Sequence, residues 1–200
     1  MKKGLTIFYT IALGAIITGC SSSVSTDSIF EDLKEQIEKV EYNNVEIANL
    51  YAMDLPDFMT VATELNDQAS LQYSNPYKEK YIIVINESKD EFVEIFKSLD
   101  MYDDEKSIVD NFAEQQYNFM KEESNIVSET EMRSLKTNGM KVRSIDFDAN
   151  VAGIPETVSY FYGFVEGEEN LYTIMAWTAK GKKDSYKEEV EKMIKSINEL

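Results

Sequence analysis

The feature that most constrains this chain is its single cysteine, Cys20, at the end of an uncharged run. Lys2 and Lys3 precede the run, residues 5–17 carry no charge, and Ile17-Thr18-Gly19-Cys20 closes it. A short positive stretch, an apolar stretch of this length and small residues at its end are the anatomy of a secretory signal peptide. A membrane-spanning helix needs about 20 apolar residues, and residues 5–20 fall short of that before serines begin. Residues 1–19 are therefore expected to be cut away and to take no part in the fold. An exported domain with no second cysteine has no disulfide, so it must rest on a packed core. Of the 200 residues, 181 remain, a length that suits one domain.

Ile17-Thr18-Gly19-Cys20 resembles the lipobox of bacterial lipoproteins: a branched aliphatic, two small residues, then cysteine. The resemblance implies cleavage after Gly19, a diacylglyceryl group on the Cys20 thiol and a further acyl chain on the new amino group. Two or more chains anchor stably where one does not. The chain's net charge is −17, and losing the two lysines of the leader takes it to −19. That charge disfavours nucleic acid and anionic surfaces. The expected partners are thus the membrane, through the lipid on Cys20, and an envelope protein. The expected location is the cell envelope. Ser21 is not the aspartate that retains lipoproteins in the inner membrane of some Gram-negative cells, so in such a host the outer membrane, facing the periplasm, is expected.

Residues 20–27 form a lipidated cysteine and a Ser-rich tether, flexible by composition. Residues 28–40 read as a helix with Phe30, Leu33, Ile37 and Val40 on one face, and residues 28–44 as a helix or stalk ahead of a domain over 45–200. Within the domain, 45–55 read as one strand ending at Pro56. Strands at 70–73 and 80–86 flank a turn at Ser74-Asn75-Pro76-Tyr77. Tyr81-Ile82-Ile83-Val84-Ile85 is apolar throughout, which predicts an inner strand covered on both faces. Ser88 and Glu91 make a capping box for a helix with Phe92, Ile95, Phe96 and Leu99 as its apolar stripe. A second helix is expected from Asp103-Asp104 to about residue 121, with Ile108, Phe112 and Phe119 inward. Four strands follow, over 126–135, 140–147, 157–166 and 170–178. Asn138-Gly139 turns the first pair, and a parity shift between Val142 and Ile145 suggests a bulge. Residues 183–200 read as a closing helix buried through Tyr186, Val190, Met193, Ile194 and Ile197. Strands grouped apart from helices predict an α+β fold: an antiparallel β-sheet of six or seven strands with helices on its faces.

Tyr51-Ala52-Met53-Asp54-Leu55-Pro56 resembles the opening strand of the PsbP-like (Mog/PsbP) fold, which ends in a proline. The segment from Leu65 to Tyr73 resembles the next part of that fold. Tyr172-Thr173-Ile174-Met175-Ala176-Trp177-Thr178 with the helix after it resembles the family's last strand and C-terminal helix. The resemblance implies an α/β/α sandwich over about 45–200. Members are mostly non-enzymatic and include an extrinsic photosystem subunit, a Ran-binding protein and bacterial lipoproteins. The fold alone carries no function over.

The chain has no histidine. This removes histidine triads, histidine metal sites and the usual base near neutral pH. Ser107 beside Lys106, and Ser185 near Lys187, lack the spacing of a Ser/Lys pair on a helix. Asp103-Asp104-Glu105 lacks the glycine and glutamate of a calcium loop and reads as a helix start favouring the dipole. Asp146 and Asp148 share a strand face and read as a solvated strand end. No catalytic residue, metal site or cofactor is therefore expected. The positive candidate is aromatic: Tyr160, Tyr162, Tyr172 and Trp177 can line an apolar pocket, although such residues under helices are commonly plain core.

Overall fold

The computed structural model describes residues 40–200. Residues 1–39, with the leader, Cys20, the tether and most of the expected first helix, lie outside that range. The compact unit spans Val40–Leu200. Its first strand already holds residues 42–44, which were expected to close the stalk.

Eleven strands and three helices make up this unit. The strands are β1 (Tyr42–Ile47), β2 (Tyr51–Pro56), β3 (Thr60–Val61), β4 (Leu71–Asn75), β5 (Lys80–Ser88), β6 (Asn125–Glu129), β7 (Arg133–Thr137), β8 (Met140–Asn150), β9 (Val158–Glu166), β10 (Asn170–Ala179) and β11 (Asn198–Glu199). The helices are α1 (Lys89–Ser98), α2 (Ile108–Glu123) and α3 (Lys183–Ser196). An eight-stranded antiparallel sheet runs β3-β4-β5-β10-β9-β8-β6, with β7 also paired to β8. A separate sheet runs β1-β2-β11. The α+β class is as expected, with more strands in the main sheet than six or seven.

The main sheet is covered on both faces. One face packs on α1 and α2 through Phe92, Phe112, Tyr117, Phe147 and Phe164. The other packs on α3 and β2 through Tyr186, Val190, Met193, Tyr51 and Met53. Burying each such side chain contributes about 1.5–3 kcal/mol. Strand β5 lies between β4 and β10. Its Ile82, Ile83 and Val84 are fully buried, which is why the sequence is apolar at every step there.

Several elements differ from the sequence-based expectation. The strand expected over 45–55 is a hairpin, β1 with β2. Its turn places Ala48 and Asn49 at φ 48° and 58°, and Leu50 N–H donates to the Ile47 carbonyl at 2.8 Å. Alanine in that conformation carries no turn signal. Residues 126–135 form two strands, β6 and β7, both on the free edge of β8. The bulge lies in β6, between Ile126 and Ser128. Strand β8 keeps one register along β9 from Lys141 to Ala149. Its parity shift has another cause: Met140 and Val142 face α3, whereas Ile145, Phe147 and Ala149 face α2.

Helix α1 buries Phe92, but Ile95 and Leu99 are 52% and 58% exposed. Helix α2 begins at Ile108, capped by Ser107 rather than by Asp103. Asp103 Oδ1 instead accepts from the Glu105 amide at 2.9 Å, and Asn111 Nδ2 ties the Asp103 carbonyl to the helix at 2.9 Å. Phe119, expected inward, is 45% exposed. The last helix stops at Ser196, and residues 198–199 pair with β2.

The β7–β8 turn places Asn138 at φ 47° and Gly139 at φ 83°, a conformation that glycine adopts without penalty. A Cβ on Gly139 meets nothing within 4 Å, so the cost of Gly139→Ala is purely conformational. Urea unfolding is expected to show a loss of about 1 kcal/mol. Gly181→Ala, equally open but without positive φ, is expected to lose nothing measurable.

Candidate functional site

The register of the main sheet places four aromatic residues in one row. Tyr81 opposes Trp177, Trp177 opposes Tyr160, and Tyr160 opposes Phe147. Cross-strand neighbours stand close enough for their rings to meet. Tyr81 and Trp177 stack with centroids 5.3 Å apart, and Phe147 and Tyr160 with centroids 5.1 Å apart. Trp177 and Tyr160 sit 6.5 Å apart at 31°. The row lies on the α1/α2 face. Phe147 is buried, but Tyr81, Tyr160 and Trp177 are only half-buried.

Tyr162 lies two residues further along β9, on the same face. Its hydroxyl donates to Met175 Sδ at 2.6 Å, and its ring centroid lies 5.5 Å from that of Phe147. Burial raises the pKa values of Tyr160 and Tyr162, so both hydroxyls stay protonated across the physiological range.

Tyr172 does not join this set. It stands on the other face of β10, in the core under α3 and β2. Successive strand residues point to opposite faces, so an even-numbered Tyr172 is separated from Thr173, Met175 and Trp177. Its hydroxyl donates to Glu199 Oε1 at 2.8 Å. The same carboxylate accepts the amide of Asn170 at 3.0 Å. This is a structural lock between β10 and β11.

Two cavities open along the row. One, of about 400 Å³, lies between α2 and the sheet, with Phe119, Met120, Phe147, Tyr160, Tyr162 and Met175 as its apolar wall. Asn66, Gln116, Ser124 and Thr173 supply its polar positions, and no charged side chain among those described lines it. Gln116 is held by its amide, which donates to Glu87 Oε1 at 3.0 Å. The other, of about 440 Å³, takes Tyr81 and Trp177 together with Ile154, Pro155, Glu79 and Glu156. The expected pocket residues are thus divided: Tyr160 and Tyr162 line one cavity, Trp177 the other, and Tyr172 neither.

On the α3 face, Asp146 and Asp148 are each 3% exposed. This corrects the expectation of a solvated strand end. Asp146 accepts from Lys187 Nζ at 2.6 Å and Arg133 Nη2 at 2.9 Å. Asp148 accepts from Lys183 Nζ and Ser159 Oγ, each at 2.7 Å, and from Ser128 Oγ at 2.9 Å. Burial alone pushes the Asp148 carboxyl up, but these hydrogen bonds outweigh it and bring its pKa to about 2. The sequence shows the two aspartates but not the α3 lysines that cover them. The carboxylates are saturated by cations and hydroxyls, so they serve packing rather than proton transfer. Among the described residues, no group of three or more Cys, His, Asp or Glu side chains is placed to hold a metal ion.

The fold is PsbP-like. Over 91% of this chain and 98% of the other, it superimposes on the solution structure of cyanobacterial PsbP (CyanoP) from Synechocystis sp. PCC 6803, with a TM-score of 0.53 and 11% identity. It is also similar to LpqN, a protein involved in cell envelope biogenesis of Mycobacterium tuberculosis. There the match covers 82% of this chain and 94% of that one, with a TM-score of 0.51 and 8% identity. No protein-family model matches the chain, and no curated protein matches it in sequence. At these identities the likeness is one of fold.

Proposed function

We propose that this chain is a lipid-anchored, non-catalytic binding or assembly module of the cell envelope, and that it works through the α2 face. The observation that carries the reading is the half-covered aromatic row with the 400 Å³ groove beside it. On the α3 face, which ion pairs and a dense core largely fill, the cavity beside Val190 and Ile194 is only about 60 Å³, against about 400 Å³ for the α2 groove. A cavity of a few hundred Å³ with apolar walls and a few polar groups has the makeup of a binding site. The lipobox-like end at Cys20 supports membrane attachment. LpqN's part in envelope biogenesis supports the envelope as the setting. In a Gram-negative host the module would sit on the outer membrane and face the periplasm. A small-ligand carrier, or an enzyme built around Tyr160 and Trp177, is the competing reading, favoured by the same groove.

Photo-crosslinking in intact cells tests this. A benzophenone side chain at Phe119, on the groove rim, is expected to give adducts with an envelope component. The same group at Glu188, on the exposed side of α3, is expected to give none. Equal labelling at both positions, or none at Phe119, would overturn the reading.

A further inference from the structure

We infer that the groove under α2 takes an uncharged, mostly apolar small molecule with one hydrogen-bonding group, and that Thr173 receives that group. This takes up the small-ligand reading of the same groove and rests on the α2 face being the binding face.

The decisive residue is Thr173. It sits on β10 between Ile85 of β5 and Phe164 of β9, is 8% exposed and lines the groove. Its Oγ1 has no hydrogen-bond partner among the described residues. Buried hydroxyls in native proteins nearly always have one. The position is not dictated by packing alone, because valine fills the same space without a polar atom. The rest of the wall fixes the character of the ligand. Tyr160, Tyr162, Phe119 and Phe147 offer aromatic surface, and Met120 and Met175 adapt their shape to what lies against them. Phe119 leaves an apolar ring in water at the rim, a surface that an occupant would cover.

Charge settles the remaining question. Among the described side chains, no cation lines the groove to pair an anionic ligand, and no carboxylate lines it to pair a cationic one. Glu87 is half-buried and held by Gln116, which lines the groove, and burial raises its pKa. The whole chain carries −17. Its field repels anions before they reach the groove, and a cation entering the apolar wall would lose its hydration without compensation.

Two fluorophores that share a ring system isolate the charge. N-phenyl-1-naphthylamine is uncharged and carries one N–H. 8-Anilino-1-naphthalenesulfonate adds a sulfonate. Both are titrated into the mature chain, residues 20–200, with Cys20→Ala so that no lipid competes. Trp177 is the only tryptophan, and its ring lies 6.5 Å from that of Tyr160. Energy transfer from it therefore reports bound probe.

The uncharged probe is expected to bind at one site, at least tenfold tighter than the sulfonate. Thr173→Val should weaken it about fivefold, the loss of one hydrogen bond, while Thr173→Ser should bind as the native chain does. Thermal melts confirm that each variant is folded. Equal affinity for both probes would overturn the proposal. So would full affinity in Thr173→Val, which would mean that the hydroxyl holds water only. Absence of binding by either probe also overturns it. None of these results touches the binding-face reading, which falls if Phe119 gives no adducts or if Phe119 and Glu188 label equally.

Discussion

Asp148→Ala is expected to lower the unfolding free energy by about 3 kcal/mol, the low end of what breaking a buried ion pair costs. The carboxylate is buried under α3 and takes hydrogen bonds from Lys183, Ser159 and Ser128. Removing it strands Ser159, which is fully buried, inside the sheet. It also leaves Lys183 without its partner. Lys183 and Lys180 reach solvent in part, so they can rehydrate, and this keeps the cost from rising further. An exposed pair gives the contrast: Asp104→Ala, which removes the partner of Lys97, should change stability by less than about 0.5 kcal/mol. Urea titration of both variants at neutral pH makes the comparison. A loss below about 1 kcal/mol for Asp148→Ala would show that the site is solvated after all.

The same carboxylate sets an acid limit. Its folded-state pKa is about 2, below the ordinary 3.8. A depressed pKa means that the folded state holds the proton less tightly than the unfolded one. The contribution is therefore complete above about pH 4 and is lost as pH falls toward 2. Asp148→Asn should lack this part of the acid dependence.

These two aspartates also show what the sequence could and could not reveal. Their shared strand face was legible from period two alone. Their burial was not, because the residues that cover them, Lys183 and Lys187, come from a helix some 35–41 positions away. Strand β8 makes the point more generally. Its apolar residues change face midway because the α3 face, apolar at Met140 and Val142, continues as the ion-paired Asp146 and Asp148, while the α2 face is apolar from Ile145 onward. A single-strand pattern cannot distinguish that exchange from a bulge. The Asn138-Gly139 hairpin was readable because both residues suit positive φ. The Ala48-Asn49 hairpin was hidden because alanine does not. In α1, the 92/96 pair and the 95/99 pair form a single stripe on a helical wheel, yet only Phe92 is fully covered by the sheet. The aromatic candidates came out of one tyrosine-rich stretch, and strand alternation then removed Tyr172 from the rest. Thr173 gave no signal at all. Its interest comes from a buried hydroxyl without a partner among the described residues, which only three dimensions reveal.

Cys20→Ala is expected to move the protein from the membrane to the soluble fraction, a change of at least 100-fold in partition. The size follows from the lipid: each buried methylene contributes about 0.8 kcal/mol, and two or three acyl chains make attachment effectively permanent. Nothing else described in the chain replaces them. No described helix is long and apolar enough to cross a membrane. Without residues 1–19 the charge is −19, which opposes binding to anionic lipid. Because cleavage of a lipobox leader follows lipidation, the variant must be exported behind an ordinary cleavable leader in place of residues 1–19. The uncut apolar run would otherwise serve as the anchor. Fractionation then compares it with the native chain, and labelled palmitate should enter only the latter. The circular dichroism spectrum should not change, because both cores lie within residues 40–200. Continued membrane association of the leader-exchanged Cys20→Ala chain would move the anchor from the lipid to the domain itself. The exposed Ile95, Leu99 and Phe119 of the α1/α2 layer would then be the first surface to test.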